Sequence, residues 1–271
     1  MPELPEVETI ARGLANAIAG KTIAGADVLL AKMAVGDGVR PFGESLAGDR
    51  VTAVSRRGKY AIVELASGRF LTIHLRMTGR LIVQPPEAGE LYPYTHVVIR
   101  FTDGSRLCFA DSRQFGRMVL RAAEEPWATD VGIEPLSEDF TTERFVGMLD
   151  GRKTPIKQML LDQRRIAGIG NIYACEALWE ARIRPARPSY KISRPARARL
   201  HAALRDVLCR AIEMRGTSVD DYVDADGMRG GFQNHLSVYG REGEACERCG
   251  GSIVRTVLGQ RGTWWCRNCQ R

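Results

Sequence analysis

The chain has 271 residues, 44% of them hydrophobic, and its 39 Lys and Arg exceed its 32 Asp and Glu to give a net charge of +7. That length allows two domains, or one large one with an appendage, and the composition can bury a core. No apolar run approaches the roughly 18 residues of a membrane span, and the acidic N-terminus has no apolar leader, so the sequence argues against a membrane or exported protein and for a cytoplasmic one.

The chain opens Met1-Pro2-Glu3-Leu4-Pro5-Glu6. Two readings fit this stretch. In one, Pro5 sits in a helix first turn and Glu3, Glu6 and Glu8 complement the helix dipole. In the other, removal of Met1 leaves Pro2 as a free secondary amine flanked by carboxylates. A terminal amine has a reference pKa of about 8, against about 10.4 for lysine, so about ten per cent is neutral at pH 7. Only the neutral amine attacks an electrophilic carbon, and the iminium it forms stays cationic without protonation. After Pro5, Val7, Ile10, Leu14 and Ile18 recur at helical spacing and predict a helix over 5–18.

The period then shortens. Runs rich in β-branched residues predict strands at Thr22–Val28, Val51–Ser55, Tyr60–Leu65, Phe70–Leu75, Arg80–Val83, His96–Phe101, Arg106–Ala110 and Met118–Arg121. Ser67-Gly68 and Asp103-Gly104 supply turns. Eight short strands with tight turns read as an antiparallel sandwich or barrel ending near residue 130. Helical patterning follows from Ser137: a first helix around Phe145 and Met148-Leu149, a second capped by Thr154-Pro155, and a third from Asn171 after Gly168-Ile169-Gly170. A fourth is opened by Ser193-Arg194-Pro195, with the stripe Leu200, Leu204, Val207, Leu208, Ala211 and Ile212. Residues 216–231, with four glycines, are too polar for a core and read as a mobile loop.

Between Arg182 and Arg215 stand ten Lys or Arg and two acids. A solvated linker and helix face would carry such a run, and so would a nucleic-acid interface; the overall basic charge favours the second. Cys246-x2-Cys249 and Cys266-x2-Cys269, sixteen residues apart, have the spacing of a four-thiolate zinc site with a hairpin between the pairs. Disulfides do not suit a chain without an export signal, and a redox CxxC would need an adjacent βαβ unit. Four thiolates leave zinc no open position, so the metal is expected to be structural. Cys108, Cys175 and Cys209 fall in apolar patterns and are expected in the core. Arg261, between Gly259 and Gly262, could fork two donors to a phosphate or be a plain turn residue.

Six strings in order carry a wider likeness: Pro2–Glu8, Arg56–Tyr60, His74–Gly79, Gly168–Ala174, Val238–Arg241 and the four cysteines. With them the chain resembles the bacterial formamidopyrimidine-DNA glycosylases over nearly its whole length. The resemblance implies a multidomain α+β protein. Residues 1–130 would form a catalytic β-sandwich led by a helix. Residues 131–236 would form a helix–two-turns–helix domain whose 219–231 loop covers the flipped base, and 237–271 a zinc ribbon.

The same resemblance implies a monomeric base-excision enzyme acting on double-stranded DNA that contains 8-oxoguanine or formamidopyrimidines. Pro2 would attack C1′ of the damaged nucleotide, and Glu3 would shuttle protons at the opening sugar. Lys59 would assist elimination of the 3′ phosphate and Arg261 that of the 5′ phosphate. Glu6 and Lys157 would support the lesion site. His74, His96, Lys153 and Asn171 would contact the DNA backbone, although as single residues they read as strand or surface positions. Gly168 and Gly170 would free amides to face an anion. Met77, Arg113 and Phe115 would fill the gap left by the extruded base; without the resemblance, Met77 and Phe115 read as core residues. Gln114 stands where many relatives carry a second basic residue. Two rivals remain: the endonuclease VIII type, which prefers oxidised pyrimidines, and a non-catalytic nucleic-acid-binding protein.

Overall fold

The structure, a computed structural model, describes residues 1–36, 41–123, 130–219 and 222–271. It divides into two compact units, one of residues 1–129 with 214–231 and one of 130–213 with 232–271.

The first unit begins with helix α1, Leu4–Ile18, whose buried face is Leu4, Val7, Ile10, Ala11, Leu14 and Ile18. This i, i+3, i+4 stripe packs on strands β3 (Val51–Arg57) and β4 (Tyr60–Leu65). Leu14 is fully enclosed; truncating it to Ala would cost about 2–5 kcal/mol. Besides β3 and β4, the unit contains β1 (Ile23–Val28), β2 (Ala34–Val35), β5 (Phe70–His74), β6 (Gly79–Gln84), β7 (Thr95–Phe101), β8 (Arg106–Asp111) and β9 (Arg117–Arg121). They form a four-stranded sheet ordered β1-β7-β8-β6 and a five-stranded one ordered β2-β9-β5-β4-β3. One hydrophobic core joins residues of both sheets to α1.

All eight expected strands are present, with ends shifted by one or two residues. The short β2 and the helix α2 (Phe42–Leu46) were not legible in the pattern, being two and five residues long. β2 also pairs parallel with β9, the exception to the antiparallel rule among the described strands.

The segment after residue 214 departs most from expectation. It packs in the first unit, not with the helices, and it is not an open loop. Tyr222 and Ala225 enter the sandwich core, and Thr217, Ser218 and Asp224 are buried. Asp224 explains part of this: its carboxylate accepts the N–H groups of Asp226 at 3.0 Å and Met228 at 2.9 Å and pairs with Arg215. Ser218 and Asp224 are satisfied by internal hydrogen bonds, while residues 226–229 remain exposed. Residues 220 and 221 of the expected lesion-covering loop lie outside the described residues.

In the second unit, α3 (Thr142–Met148) is capped by Thr141, whose hydroxyl accepts from Arg144 N at 3.2 Å. The helix α4 (Ile156–Leu161) is capped by Pro155, not by Thr154 as expected. The Thr154 carbonyl instead accepts from the backbone and hydroxyl of Ser189. Helices α5 (Asn171–Glu180) and α6 (Arg194–Glu213) pack together. The hairpin β10 (Ile253–Leu258) and β11 (Arg261–Cys266) turns through Gly259 and Gln260, both left-handed at φ +57° and +62°. Two consecutive positive φ values are those of a type I′ turn, which matches the twist of the flanking strands.

Candidate active site and DNA interface

Pro2 and Glu3 are buried at the start of α1, with Glu3 as the N-cap residue. Glu6, only 1% exposed, anchors this start. Its Oε2 accepts from Glu3 N at 2.8 Å, half of a capping box, and its Oε1 accepts from Thr217 N at 2.7 Å. Gly216 makes that approach possible: at φ +82°, a Cβ there would lie 2.9 Å from Glu6 Oε1. The Tyr222 hydroxyl donates to Arg215 O at 3.1 Å, and burial, reinforced by Glu6, pushes its pKa up. Glu6 was expected as a lesion-side carboxylate. Its oxygens hold backbone, tying the Pro2–Glu3 segment to residues 215–217.

The next carboxylate along α1 reaches another element. Glu8 Oε2 accepts from Arg56 Nε at 2.8 Å, and Arg56 Nη1 donates to Gly58 O at 3.2 Å. Burial disfavours the Glu8 anion, but Arg56 and then Arg12 outweigh it and hold the carboxyl below its ordinary range. Gly58, at φ +57°, and Lys59 form the tight turn between β3 and β4. This chain of contacts fixes the Lys59 turn against the first turns of α1. Lys59 is itself buried, 7% exposed, unlike an ordinary strand-turn lysine. His74 lies opposite Tyr60 in the sheet, its ring edge-on to the tyrosine at 4.7 Å. Burial, then the charges of Arg76 and Lys59, lower its pKa to about 3, so the ring is neutral at pH 7. Nδ1 accepts from Arg76 N at 3.0 Å, so the neutral ring carries its proton on Nε2 and can donate from there.

Two loops on the same unit present Met77 and Phe115, 39% and 52% exposed. They are not core residues, as their types alone would have them. Each loop contains a left-handed non-glycine residue, Arg76 at φ +56° and Gln114 at φ +58°. The Arg113 guanidinium lies 5.1 Å from the Phe115 ring centroid. His96 Nε2 sits 3.0 Å from Asp111 O, a carbonyl that can only accept, so this nitrogen is committed to the protein and not free for DNA. Asp111 was not singled out in the sequence, yet it organises both loops. Its carboxylate accepts from Phe115 N at 2.8 Å, Gly116 N at 2.7 Å, Arg113 N at 3.1 Å and the Thr78 hydroxyl. Burial opposes ionisation, but these donors hold it below the usual carboxylate range.

In the second unit, Lys157 has no exposed surface. Its Nζ donates to Gly262 O at 2.9 Å and Thr263 Oγ1 at 2.7 Å. Asn171 Nδ2 donates to the same Gly262 carbonyl at 3.0 Å, and Asn171 Oδ1 is buried without a partner among the described residues. The lysine expected beside the lesion is thus bound to the residues that follow Arg261. Arg261 itself is exposed at the first position of β11, and Lys153 is exposed ahead of α4. Gly168 is left-handed at φ +81°, and Gly170 caps α5. Gln163 shapes this turn, donating to Ile169 O at 2.7 Å and accepting from Gly168 N at 3.0 Å.

The four cysteine sulfurs lie within 4.8 Å of one another, with Cys246–Cys269 at 3.9 Å and Cys249–Cys266 at 3.5 Å. A tetrahedral zinc with bonds of about 2.3 Å needs sulfurs about 3.8 Å apart, so the thiolates fit the ion. Trp179 Nε1 donates to Cys246 Sγ at 3.4 Å, and Glu176 accepts from the backbone of Ser237, Val238 and Tyr239. Both residues lie on α5 and seat the ribbon on the helical part. Cys108 and Cys175 are buried as expected; Cys209 is not, because it falls on the solvent side of α6. The basic run is likewise only partly a surface. Arg197 is buried on Ile192 O, Val146 O and Asp150, and Arg205 donates to Pro135 O and Ser137 O.

Residues 1–118 match the family model described as the formamidopyrimidine-DNA glycosylase N-terminal domain, 131–223 the H2TH domain of the same enzymes, and 243–271 the zinc finger found in FPG and IleRS. The class is therefore that of the DNA glycosylases built on a helix–two-turns–helix module. A formamidopyrimidine-DNA glycosylase of Pelotomaculum thermopropionicum is 44% identical, covering 100% of this chain and 99% of its own. That of Roseiflexus sp. is 45% identical, with 100% of both chains covered. The chain belongs to the formamidopyrimidine-DNA glycosylase family and carries one structural zinc ion. Among solved structures, a Lactococcus lactis FPG mutant complexed with Fapy-dG-containing DNA superposes with a TM-score of 0.91, at 35% identity and full coverage of both chains. The wild-type Lactococcus lactis enzyme with DNA containing an oxidised pyrimidine gives 0.90, also at 35% and full coverage.

Proposed function

We propose that this chain, a DNA glycosylase of base-excision repair, uses the Pro2 amine, freed by removal of Met1, as its nucleophile on double-stranded DNA containing oxidised purines. The observation that carries the reading is the buried Pro2-Glu3 pair at the head of α1, braced by Glu6 and by the Glu8–Arg56 contact to the Lys59 turn. The amine lone pair attacks C1′, and the glycosidic electrons leave with the base. Glu3 moves a proton to the opening sugar oxygen. The resulting iminium acidifies the C2′ hydrogen; its loss expels the 3′ phosphate, with Lys59 in attendance, and a second elimination expels the 5′ phosphate, gripped by Arg261.

Extrusion of the damaged base costs a few kcal/mol, and Met77, Arg113 and Phe115 occupy the gap. His74, through Nε2, and Lys153 hold the backbone. Lys157 and Asn171 act through the hairpin, fixing Gly262 and with it Arg261. The protein works as a monomer in the bacterial cytoplasm; among the described residues, no helix is long and apolar enough to cross a membrane.

A second reading has a specific support: the Lactococcus lactis relative has been solved with oxidised-pyrimidine DNA. Single-turnover excision of 8-oxoguanine opposite cytosine, compared with thymine glycol, decides between them. Faster release of 8-oxoguanine is expected; a preference for thymine glycol would assign the chain to pyrimidine repair.

A further inference from the structure

We infer that Asp111 is the positioning residue of the gap-filling surface: one buried carboxylate sets the Met77 loop and the Arg113–Phe115 loop in a single register and so governs discrimination of the base opposite the lesion. The inference rests on the reading that Met77, Arg113 and Phe115 enter the gap.

Asp111 ends β8 opposite Gly79, which starts β6 just after Met77 and Thr78. The side chain is fully enclosed. Oδ1 accepts from the Thr78 hydroxyl, on the first loop, and from Arg113 N at 3.1 Å, on the second. Arg113 N also lies 3.3 Å from Thr78 Oγ1, which closes a triangle between the loops. Oδ2 accepts from Phe115 N and Gly116 N. The backbone carbonyl of Asp111 accepts from Gln114 N at 3.1 Å and faces His96 Nε2. Three of the four N–H groups from Arg113 to Gly116 thus end on the carboxylate and the fourth on the Asp111 carbonyl.

The packing around the carboxylate allows no slack. A Cβ on Gly116 would stand 2.6 Å from Phe109 Cζ and 3.2 Å from Asp111 Oδ2, and one on Gly79 would stand 2.5 Å from Leu75 O. Two large apolar side chains held in water, on loops with left-handed Arg76 and Gln114, would otherwise turn inward. The carboxylate accepts from donors on both loops and holds the Thr78–Arg113 contact between them, so it fixes the distance between the thioether, the guanidinium and the ring. A guanidinium that hydrogen-bonds the orphaned cytosine distinguishes it from adenine only if its position is set to within a fraction of an ångström.

The test uses the full-length zinc-loaded enzyme and Asp111→Asn, which keeps the shape but turns an amide N–H₂ toward backbone donors. Single-turnover excision from an 8-oxoguanine·cytosine duplex should fall by about tenfold or more, as expected for losing one charge-assisted bond, and the preference for cytosine over adenine opposite should shrink with it. Borohydride trapping on a single-stranded abasic oligonucleotide, which has no partner strand to replace, should be unchanged.

An equal loss on both substrates would mean a merely structural role and overturn the proposal. Phe115→Ala separates the two layers of the argument. Wild-type rates and selectivity in Phe115→Ala would remove the gap-filling reading and the proposal with it. Loss in Phe115→Ala with wild-type behaviour in Asp111→Asn would overturn the proposal alone. If Asp111→Asn does not fold, Thr78→Val, which deletes one donor to the carboxylate, carries the same comparison: reduced cytosine selectivity supports the proposal and unchanged selectivity refutes it.

Discussion

Replacing Glu6 by Gln is the substitution whose cost follows most directly from geometry. The carboxylate is enclosed and accepts two backbone N–H groups, Glu3 at 2.8 Å and Thr217 at 2.7 Å. Gln keeps one acceptor oxygen and turns its N–H₂ toward the other donor. One bond to a charged group, worth about 1.5–3 kcal/mol, is lost, and an N–H is left buried without a partner at about 1–3 kcal/mol. Gly216 lies too close for the side chain to swing away. A destabilisation of about 3 kcal/mol follows, which for a unit of this size lowers Tm by roughly 6–12 °C. Urea unfolding followed by a probe in the first unit measures it, and proteolysis should release residues 215–231 first. A change within about 0.5 kcal/mol, the range of surface substitutions, would refute the claim that Glu6 joins these segments.

Lys157→Met should retain zinc but loosen the hairpin that carries Arg261. On a gel, 3′-phosphate products of the second elimination should drop about tenfold relative to base removal, the effect of about 1.4 kcal/mol; an unchanged product ratio would contradict the positioning role. His74, lowered to about 3, binds its proton more weakly when folded than at its ordinary value of 6.5. The unfolded chain therefore takes up the proton first as pH falls below about 6.5, and stability should decline by about 2 kcal/mol by pH 5 from this group. An NMR titration of the ring with a midpoint near 6.5 would refute it. Cys269→Ala, or stripping of zinc, should unfold residues 243–271 and weaken duplex binding, since these residues have little core of their own; unchanged affinity in a zinc-free protein would contradict the structural assignment.

The strands, the long helices and the zinc ribbon were legible because each has a period or a spacing that only one structure satisfies. What was not legible depended on partners distant in sequence. Glu6 and Thr217 are 211 residues apart, and nothing local announces their bond. Polar residues 216–231 read as exposed because composition does not reveal that Asp224 and Ser218 are satisfied internally. Arg197 and Arg205 counted toward a basic surface until their backbone acceptors were seen. Asp111 sits at a strand end, where aspartate is ordinary; its signal was the run of donors that follows it, together with Thr78. The roles proposed for Pro2, Lys59 and Arg261 rest on their motifs, and no argument from spacing alone would have selected all three.

Borohydride reduction of the enzyme on abasic-site DNA, followed by mass spectrometry of the adduct, bears most directly on the nucleophile. With Met1 removed, the deoxyribose is expected on the nitrogen of Pro2, and an added residue ahead of Pro2 should abolish the adduct. A cross-link of undiminished yield in the extended protein, or one mapped to a lysine, would contradict the account.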